Sequence, residues 1–310
     1  MKEIGKELAA YLDQKRLRAS YASILHKVEN DPDVRAFLQA NQSKLATDAV
    51  SKGSAKLYEF VNEKEKIANN QETFAPGYYP RLIVNNHLID ITYEPQPEKM
   101  AADAAAAKDA LVDAANMPKD FKDANLRDYD PAGREQALSE ALSFVADYQP
   151  GQFSQGLYLT GNYGVGKTYL LGGIANALAD RHIRTVILHV PTFSVEMRDA
   201  ISDNSVLKRI HRIQDVPILV FDDIGGETLS PWFRDDVLGV ILQYRMQERL
   251  ATFFSSNLSM KNLQEFMAAG RNGQDDSLKA NRIMARIKFL AKEVNIEGPD
   301  RRQQIVGRTN

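Results

Sequence analysis

The chain has 310 residues, with 39 Lys plus Arg against 41 Asp plus Glu, a net charge of −2, 44% hydrophobic residues and no cysteine. Such a length suits about two domains of roughly 100–200 residues each, and the charge balance excludes a general polyanion binder, so nucleic-acid contact would need a local basic patch. Disulfides and thiolate metal sites are excluded, no run reaches the roughly 18 apolar residues of a membrane span, and the N-terminus MKEIGKELAAYLDQKRL is charged and amphipathic, unlike a signal peptide. The default expectation is a soluble cytoplasmic protein with no membrane partner.

Residues 1–70 read as helical. Ile4, Leu8, Tyr11 and Leu12 recur at helical spacing, as do Tyr21, Ile24, Leu25 and Val28. Asp31 is a candidate N-cap with Pro32 at the first helical position. A third apolar stripe holds Val50, Leu57, Phe60 and Val61. In residues 71–97, Leu82-Ile83-Val84 and Leu88-Ile89-Asp90-Ile91 flank Asn85-Asn86 and read as a β-hairpin with an asparagine turn. Residues 98–115 are alanine-rich and charged, which suits a helical linker or the last helix of a first domain. The domain boundary is expected near 112–118, giving domains of 1–115 and 116–310.

From Pro118 the pattern is α/β. Strands are expected at Gly156–Thr160, Thr185–Val190, Ile218–Phe221 and Ala251–Ser256, alternating with helices at Thr168–Ala179, Phe193–Ile213 and Trp232–Arg249. Alternation of this kind implies a parallel sheet flanked by helices.

Between the first of these strands and its helix lies Gly161-Asn162-Tyr163-Gly164-Val165-Gly166-Lys167-Thr168, followed by Tyr169. It matches G-x-x-x-x-G-K-[ST] in the right context. The glycines let backbone N–H groups curl inward onto phosphate oxygens, and the helix N-terminus adds about half a positive charge. Lys167 is placed to reach the β- and γ-phosphates of a nucleotide and the Thr168 hydroxyl to ligate Mg²⁺.

Such a site needs a carboxylate near the metal, at the end of a hydrophobic strand. In ILVFDDIGGE, Asp222 stands there. Successive residues at a strand end point different ways, so Asp222 can face Mg²⁺ while Asp223 orients or deprotonates the attacking water. The bland reading of Asp223 is a helix cap or loop carboxylate.

The Asp222-Asp223 pair resembles the paired acids of AAA+ ATPases. Thr252-Phe253-Phe254-Ser255-Ser256-Asn257 resembles the sensor 1 strand of that class, in which Asn257 would hold the attacking water or the γ-phosphate; the competing reading is a strand-ending turn residue. In Asn281-Arg282-Ile283-Met284-Ala285-Arg286, Arg282 and Arg286 lie one turn apart on a helix. The AAA+ resemblance implies a finger that reaches a neighbour's γ-phosphate, Arg286 before Arg282, against the plain alternative of a solvated basic face.

Together GNYGVGKTYL, ILVFDDIGGE, TFFSSNLS and ANRIMARIKFLAKEV resemble the bacterial replicative helicase loaders, the DnaC/DnaI-type branch of AAA+, and GYYPRLIVNNHLIDITYEPQP resembles the N-domain of the DnaI primosomal proteins of low-GC Gram-positive bacteria. The resemblance covers most of the chain. It implies a P-loop AAA+ core, a parallel sheet flanked by helices, preceded by a smaller, mainly helical N-terminal domain with a β-hairpin; the expected departure from the AAA+ pattern is a core without a full C-terminal lid.

In function, the resemblance implies an ATPase that binds the hexameric replicative helicase, single-stranded DNA and other primosomal proteins and self-associates through its AAA+ domain; turnover is expected to be slow and stimulated by partners, since the finger arrives only on assembly. It further implies that a helical element at Phe193–Ile213 faces DNA, making Lys208, Arg209 and Arg212 candidate contacts, with Phe193 nearby; an ordinary surface helix is the alternative. Some members carry a cysteine-built zinc site in the segment equivalent to 71–97. With no cysteine and His87 as its one histidine, this segment is expected to hold no zinc; Tyr78, Leu82, Val84, Ile89 and Tyr93 would support the hairpin instead. Beyond residue 295 a full lid does not fit, leaving Arg301 and Arg302 as a residual sensor 2 contact or an exposed tail. The functional alternatives are a transposition accessory ATPase and a non-hydrolysing, nucleotide-gated binding module.

Overall fold

A computed structural model describes residues 26–114, 117, 119–227, 229–269 and 276–301. The expected stripes at Ile4–Leu12 and Tyr21–Leu25, and Arg302, lie outside the described residues. Contacts divide the chain after Ala105 into two units, each described by itself.

In the first unit, Asp31 caps α1 (Pro32–Ala40), accepting hydrogen bonds from the N–H groups of Asp33 and Val34, as expected of an aspartate before a Pro at N1. Helices α2 (Ala49–Lys52) and α3 (Ser54–Ala68) follow. Strands β1 (Tyr78–Asn85) and β2 (Leu88–Pro95) form an antiparallel hairpin. Ile89 packs with Val28, Val34, Ala49, Leu57, Phe60 and Val61, with Leu82 and Ile91 at the margin. Val50, expected in that core, is exposed, and Ala49 takes the inward position. The turn is Asn86-His87, both left-handed at φ 50 and 62, while Asn85 is still paired with Leu88. That two-residue turn with positive φ at both centres matches the twist of the strands, so the turn sits one residue later than expected. Of the expected hairpin supports, Ile89 is buried in the core with Leu82 beside it, while Tyr93 donates its hydroxyl to Glu59 at 2.9 Å and meets the Phe74 ring. Tyr78 and Val84 are half-buried, outside that cluster.

Helix α4 (Pro97–Asp109) buries none of its residues and ends short of the expected 115, because β3 (Val112–Asp113) joins the large sheet. The second unit is a six-stranded parallel sheet of order β3-β5-β6-β7-β4-β8, built from β4 (Gly156–Thr160), β5 (Thr185–His189), β6 (Ile218–Asp222), β7 (Ala251–Ser256) and β8 (Ala291–Asn295) with β3. Alternation along the strands sorts the core onto two faces. Leu157, Leu159, Ile218, Val220 and Phe253 face α6 (Glu135–Asp147) and α7 (Lys167–Ala179), with Phe121 of the short α5 (Lys119–Lys122) in the same core. Tyr158, Leu219, Phe221 and Phe254 face the other way.

That second face is covered by α8 (Val190–Asp199), α9 (Val206–Gln214), α10 (Gly239–Gln247), α11 (Met260–Ala268) and α12 (Ser277–Leu290). The single helix expected over Phe193–Ile213 is therefore two. They are separated by a turn in which Asn204 is left-handed at φ 55, and Ser202, Asp203, Asn204 and Ser205 supply the turn chemistry. The helix expected from Trp232 begins as a π-helical stretch, Phe233–Leu238, before α10. Arg245 of α10 is fully buried; its guanidinium donates to Thr252 Oγ1 and to the carbonyls of Gln214, Val216, Pro217 and Ala251, and burial pushes it down to about 9.

Candidate active site

The phosphate loop leaves the end of β4, and three of its glycines have positive φ: Gly161 at 153, Gly164 at 74 and Gly166 at 98. Gly166 is the N-cap of α7; a side chain in that left-handed state would be strained. Lys167, the first residue of α7, is buried, and its ammonium donates to the carbonyls of Gly161 and Asn162 at 2.8 Å and to Asn257 Oδ1 at 2.7 Å. The lysine thus touches both its own loop and the end of β7. Tyr163 stands out from the loop, 63% exposed.

Asp222 closes β6 at 4% exposure. The Thr168 hydroxyl lies 3.0 Å from its Oδ1 and 3.2 Å from its Oδ2, and the Ser255 hydroxyl donates to Oδ1. Burial, the largest influence, raises the Asp222 pKa, with Asp223 adding to the rise, against the lowering effects of Ser255, Thr168 and His189. Asp223 takes a left-handed backbone, φ 59. Its N–H donates to Ser255 Oγ at 2.9 Å, and its carboxylate accepts from Asn257 Nδ2 at 3.2 Å. The two acids therefore diverge, Asp222 toward Thr168 and Asp223 toward Asn257. The five residues expected in one place, Lys167, Thr168, Asp222, Asp223 and Asn257, are linked by hydrogen bonds.

Arg286 is half-buried and donates to the Gly239 carbonyl at 2.9 Å; burial, then neighbouring Arg282, lowers its pKa. Both arginines line a cavity of about 510 Å³ with Trp232, Asp235, Asp236 and Lys279. Lys208, Arg209 and Arg212 lie exposed on α9. Phe193, by contrast, is buried and edge-on to Phe233 on α8's inner side, so it offers no stacking surface beside them.

Several parts of the site were not read from the sequence. Ser255 bridges both acids, yet a serine in an apolar strand carries no motif. The segment after β8 crosses the phosphate loop: the Arg301 N–H donates to the Gly164 carbonyl at 3.1 Å, and its guanidinium pairs with Asp130. Through residue 301, then, the C-terminal segment is not a detached tail. Tyr129, buried against Gly166 and stacked with Tyr169 at 6.2 Å, and the buried Arg134 over its ring complete this side. The acidic and basic residues of YDPAGR were the available signal.

A parallel sheet covered on both faces, with a glycine loop entering a helix at one strand end and a paired acid at the end of another, defines a P-loop ATP-binding module of the AAA+ kind. Family models agree: residues 97–307 match the IstB-like ATP binding protein and residues 1–93 the primosomal protein DnaI N-terminus. The replicative helicase loader DnaI of Bacillus subtilis is 32% identical over 97% of this chain and 99% of its own length. A crystal structure of DnaI is 42% identical over 63% of this chain and 98% of that one, with a TM-score of 0.54. A candidate primosome component from Streptococcus pyogenes serotype M3 is 38% identical over 62% and 96%, with a TM-score of 0.53. The chain belongs to the DnaI family of helicase-loader proteins. Among the described residues no helix is long and apolar enough to cross a membrane.

Proposed function

We propose that this protein is an ATP-dependent loader of the replicative DNA helicase, acting in the cytoplasm during primosome assembly. The observation that carries the reading is the hydrogen-bonded set Lys167, Thr168, Asp222, Asp223 and Asn257 in a chain alike to DnaI over nearly its whole length. Residues 1–115 engage the hexameric helicase and residues 116–310 bind ATP, single-stranded DNA and further copies of the chain, with other primosomal proteins as additional partners.

The donor set suits a magnesium nucleotide. Mg²⁺ is typically held by one or two protein oxygens together with substrate phosphates, and Thr168 Oγ1 and the Asp222 carboxylate already lie side by side. When bound, the ion neutralises charge on the transferring phosphoryl group. Backbone N–H groups of residues 161–168 cradle the phosphates, and the Lys167 ammonium exchanges its loop carbonyls for phosphate oxygens. Asp223 accepts a proton from, or orients, the attacking water, which the Asn257 amide helps to hold. Arg286 leaves the Gly239 carbonyl to reach the γ-phosphate of a neighbouring copy, with Arg282 beside it. Hydrolysis is slow until partners complete the site. Lys208, Arg209 and Arg212 contact DNA phosphates.

The test is ATP hydrolysis with the cognate helicase and single-stranded DNA present. Stimulated turnover in the parent, lost on Asp223→Asn with nucleotide binding retained, is expected. Absence of any stimulated turnover in the parent rejects the hydrolytic reading.

A further inference from the structure

Ser255 lies near the end of β7, 1% exposed, and touches both members of the acid pair. A serine hydroxyl has one proton to donate and lone pairs to accept with. Its proton goes to Asp222 Oδ1, and its oxygen accepts the Asp223 N–H at 2.9 Å. The Asp223 direction is fixed, because a backbone N–H only donates; the hydroxyl proton then points to the Asp222 carboxylate, which accepts it when ionised. The same residue's carbonyl accepts the Ile224 N–H at 2.9 Å, and the next hydroxyl, Ser256 Oγ, donates to the Ile224 carbonyl at 2.6 Å. The loop after β6 is thereby clipped to β7 residue by residue.

This clip matters because Asp223 is left-handed. A non-glycine residue there forgoes roughly 1–2 kcal/mol, less for Asp than for most, and returns to the extended region unless held. An extended Asp223 would direct its carboxylate elsewhere and break its contact with Asn257. Asp222 has the complementary need. Ser255 and Thr168 share Oδ1, with Oδ2 at 3.2 Å from Thr168 alone, so the serine fixes the rotation of the carboxylate and leaves Oδ2 the freer oxygen.

We propose that Ser255 is a positioning residue for hydrolysis: one hydroxyl sets the carboxylate plane of Asp222 and the backbone turn of Asp223, so that one acid faces the metal position and the other the water position. The proposal rests on the hydrolytic reading of the site. Partners behind a metal ligand typically matter by about 10–100-fold. Loss of the Asp223 N–H acceptor adds a second, separable signature, protection of that amide from hydrogen exchange.

The experiment compares the full-length parent with Ser255→Ala and Ser255→Thr. Each is checked for folding by thermal unfolding. Readouts are amide exchange at Asp223 without nucleotide, and kcat and KM for Mg-ATP with helicase and single-stranded DNA. Ser255→Ala should lose Asp223 protection and lower kcat about 10–100-fold with KM changed less than about threefold. Ser255→Thr, which keeps a hydroxyl on a residue suited to strands, should retain both. Unchanged Asp223 exchange or unchanged kcat in folded Ser255→Ala overturns the proposal. So does a folded Ser255→Thr that keeps neither property, even where Ser255→Ala does not fold. If the parent shows no turnover, the hydrolytic reading fails while amide exchange still decides whether Ser255 holds the turn.

Discussion

Asp222→Asn should move stability and function in opposite directions. The carboxylate is 4% exposed and receives the Ser255 and Thr168 hydroxyls; burial and Asp223 both disfavour its charge. Asparagine has the same shape: its Oδ1 can still accept from the Ser255 hydroxyl, and the Thr168 hydroxyl can rotate to accept from its Nδ2. Removing the buried charge should stabilise the nucleotide-free ATPase unit by about 1–2 kcal/mol, in the range seen when an active-site group is relieved. For a unit of this size that raises Tm by about 2–4 °C per kcal/mol.

The same change should remove most of the magnesium-dependent stabilisation expected on the proposed reading, which in the parent would amount to about 2.7 kcal/mol at a ligand concentration of 100 Kd. The pH dependence has a defined sign. The folded pKa lies above the ordinary 3.8, so from about that pH upward the folded state holds a proton the unfolded state has released. This group's contribution is fully present below that pH and is lost as pH rises through the folded value; the asparagine variant lacks that decline. Thermal unfolding with ATP, with and without magnesium, is the assay. A nucleotide-free variant melting below the parent, or one with an undiminished magnesium-dependent shift, would refute the reasoning.

Arg245→Met should destabilise the ATPase unit by about 3–5 kcal/mol, since it strips a donor from four carbonyls and Thr252 in a fully buried place; denaturant unfolding measures it. Gly164→Ala should weaken nucleotide binding, because a side chain is strained at a φ of 74 and the loop must shift its N–H groups to relieve it; titration with a fluorescent ATP analogue reads this. Charge reversal of Lys208 and Arg209 should weaken single-stranded DNA binding and flatten its salt dependence, with hydrolysis in the absence of DNA unchanged. Metal analysis of the purified protein should find no stoichiometric zinc, and a chelator should leave the hairpin's melting unaltered. Glu63, which accepts from the Phe74 N–H at 2.7 Å, and the Tyr93–Glu59 bond tie that segment to α3 instead.

Much of the candidate site's arrangement was legible because its residues stand in short contiguous stretches. A glycine loop between a strand and a helix, and acids at the end of an apolar strand, announce themselves within a few positions. The Asp31 cap was legible for the same reason. Elements that depend on distant partners were not. Val112–Asp113 is a strand only because it lies beside Thr185 and Val186, and β8 only because it flanks β4. The crossing of the phosphate loop by residues 296–301 rests on bonds to Gly133, Thr160 and Gly164, which no local pattern encodes. Ser255 is the sharpest case. In an apolar strand it reads as a tolerated small residue, and its role emerges only from its neighbours on β6.

The loader reading stands most directly on complex formation. Mass measurement of the full chain mixed at micromolar concentration with the cognate hexameric helicase, in Mg-ATP and in Mg-ADP, should give a stable loader–helicase assembly whose population or stoichiometry differs between the two nucleotides. Free helicase and free chain in both conditions would contradict the account.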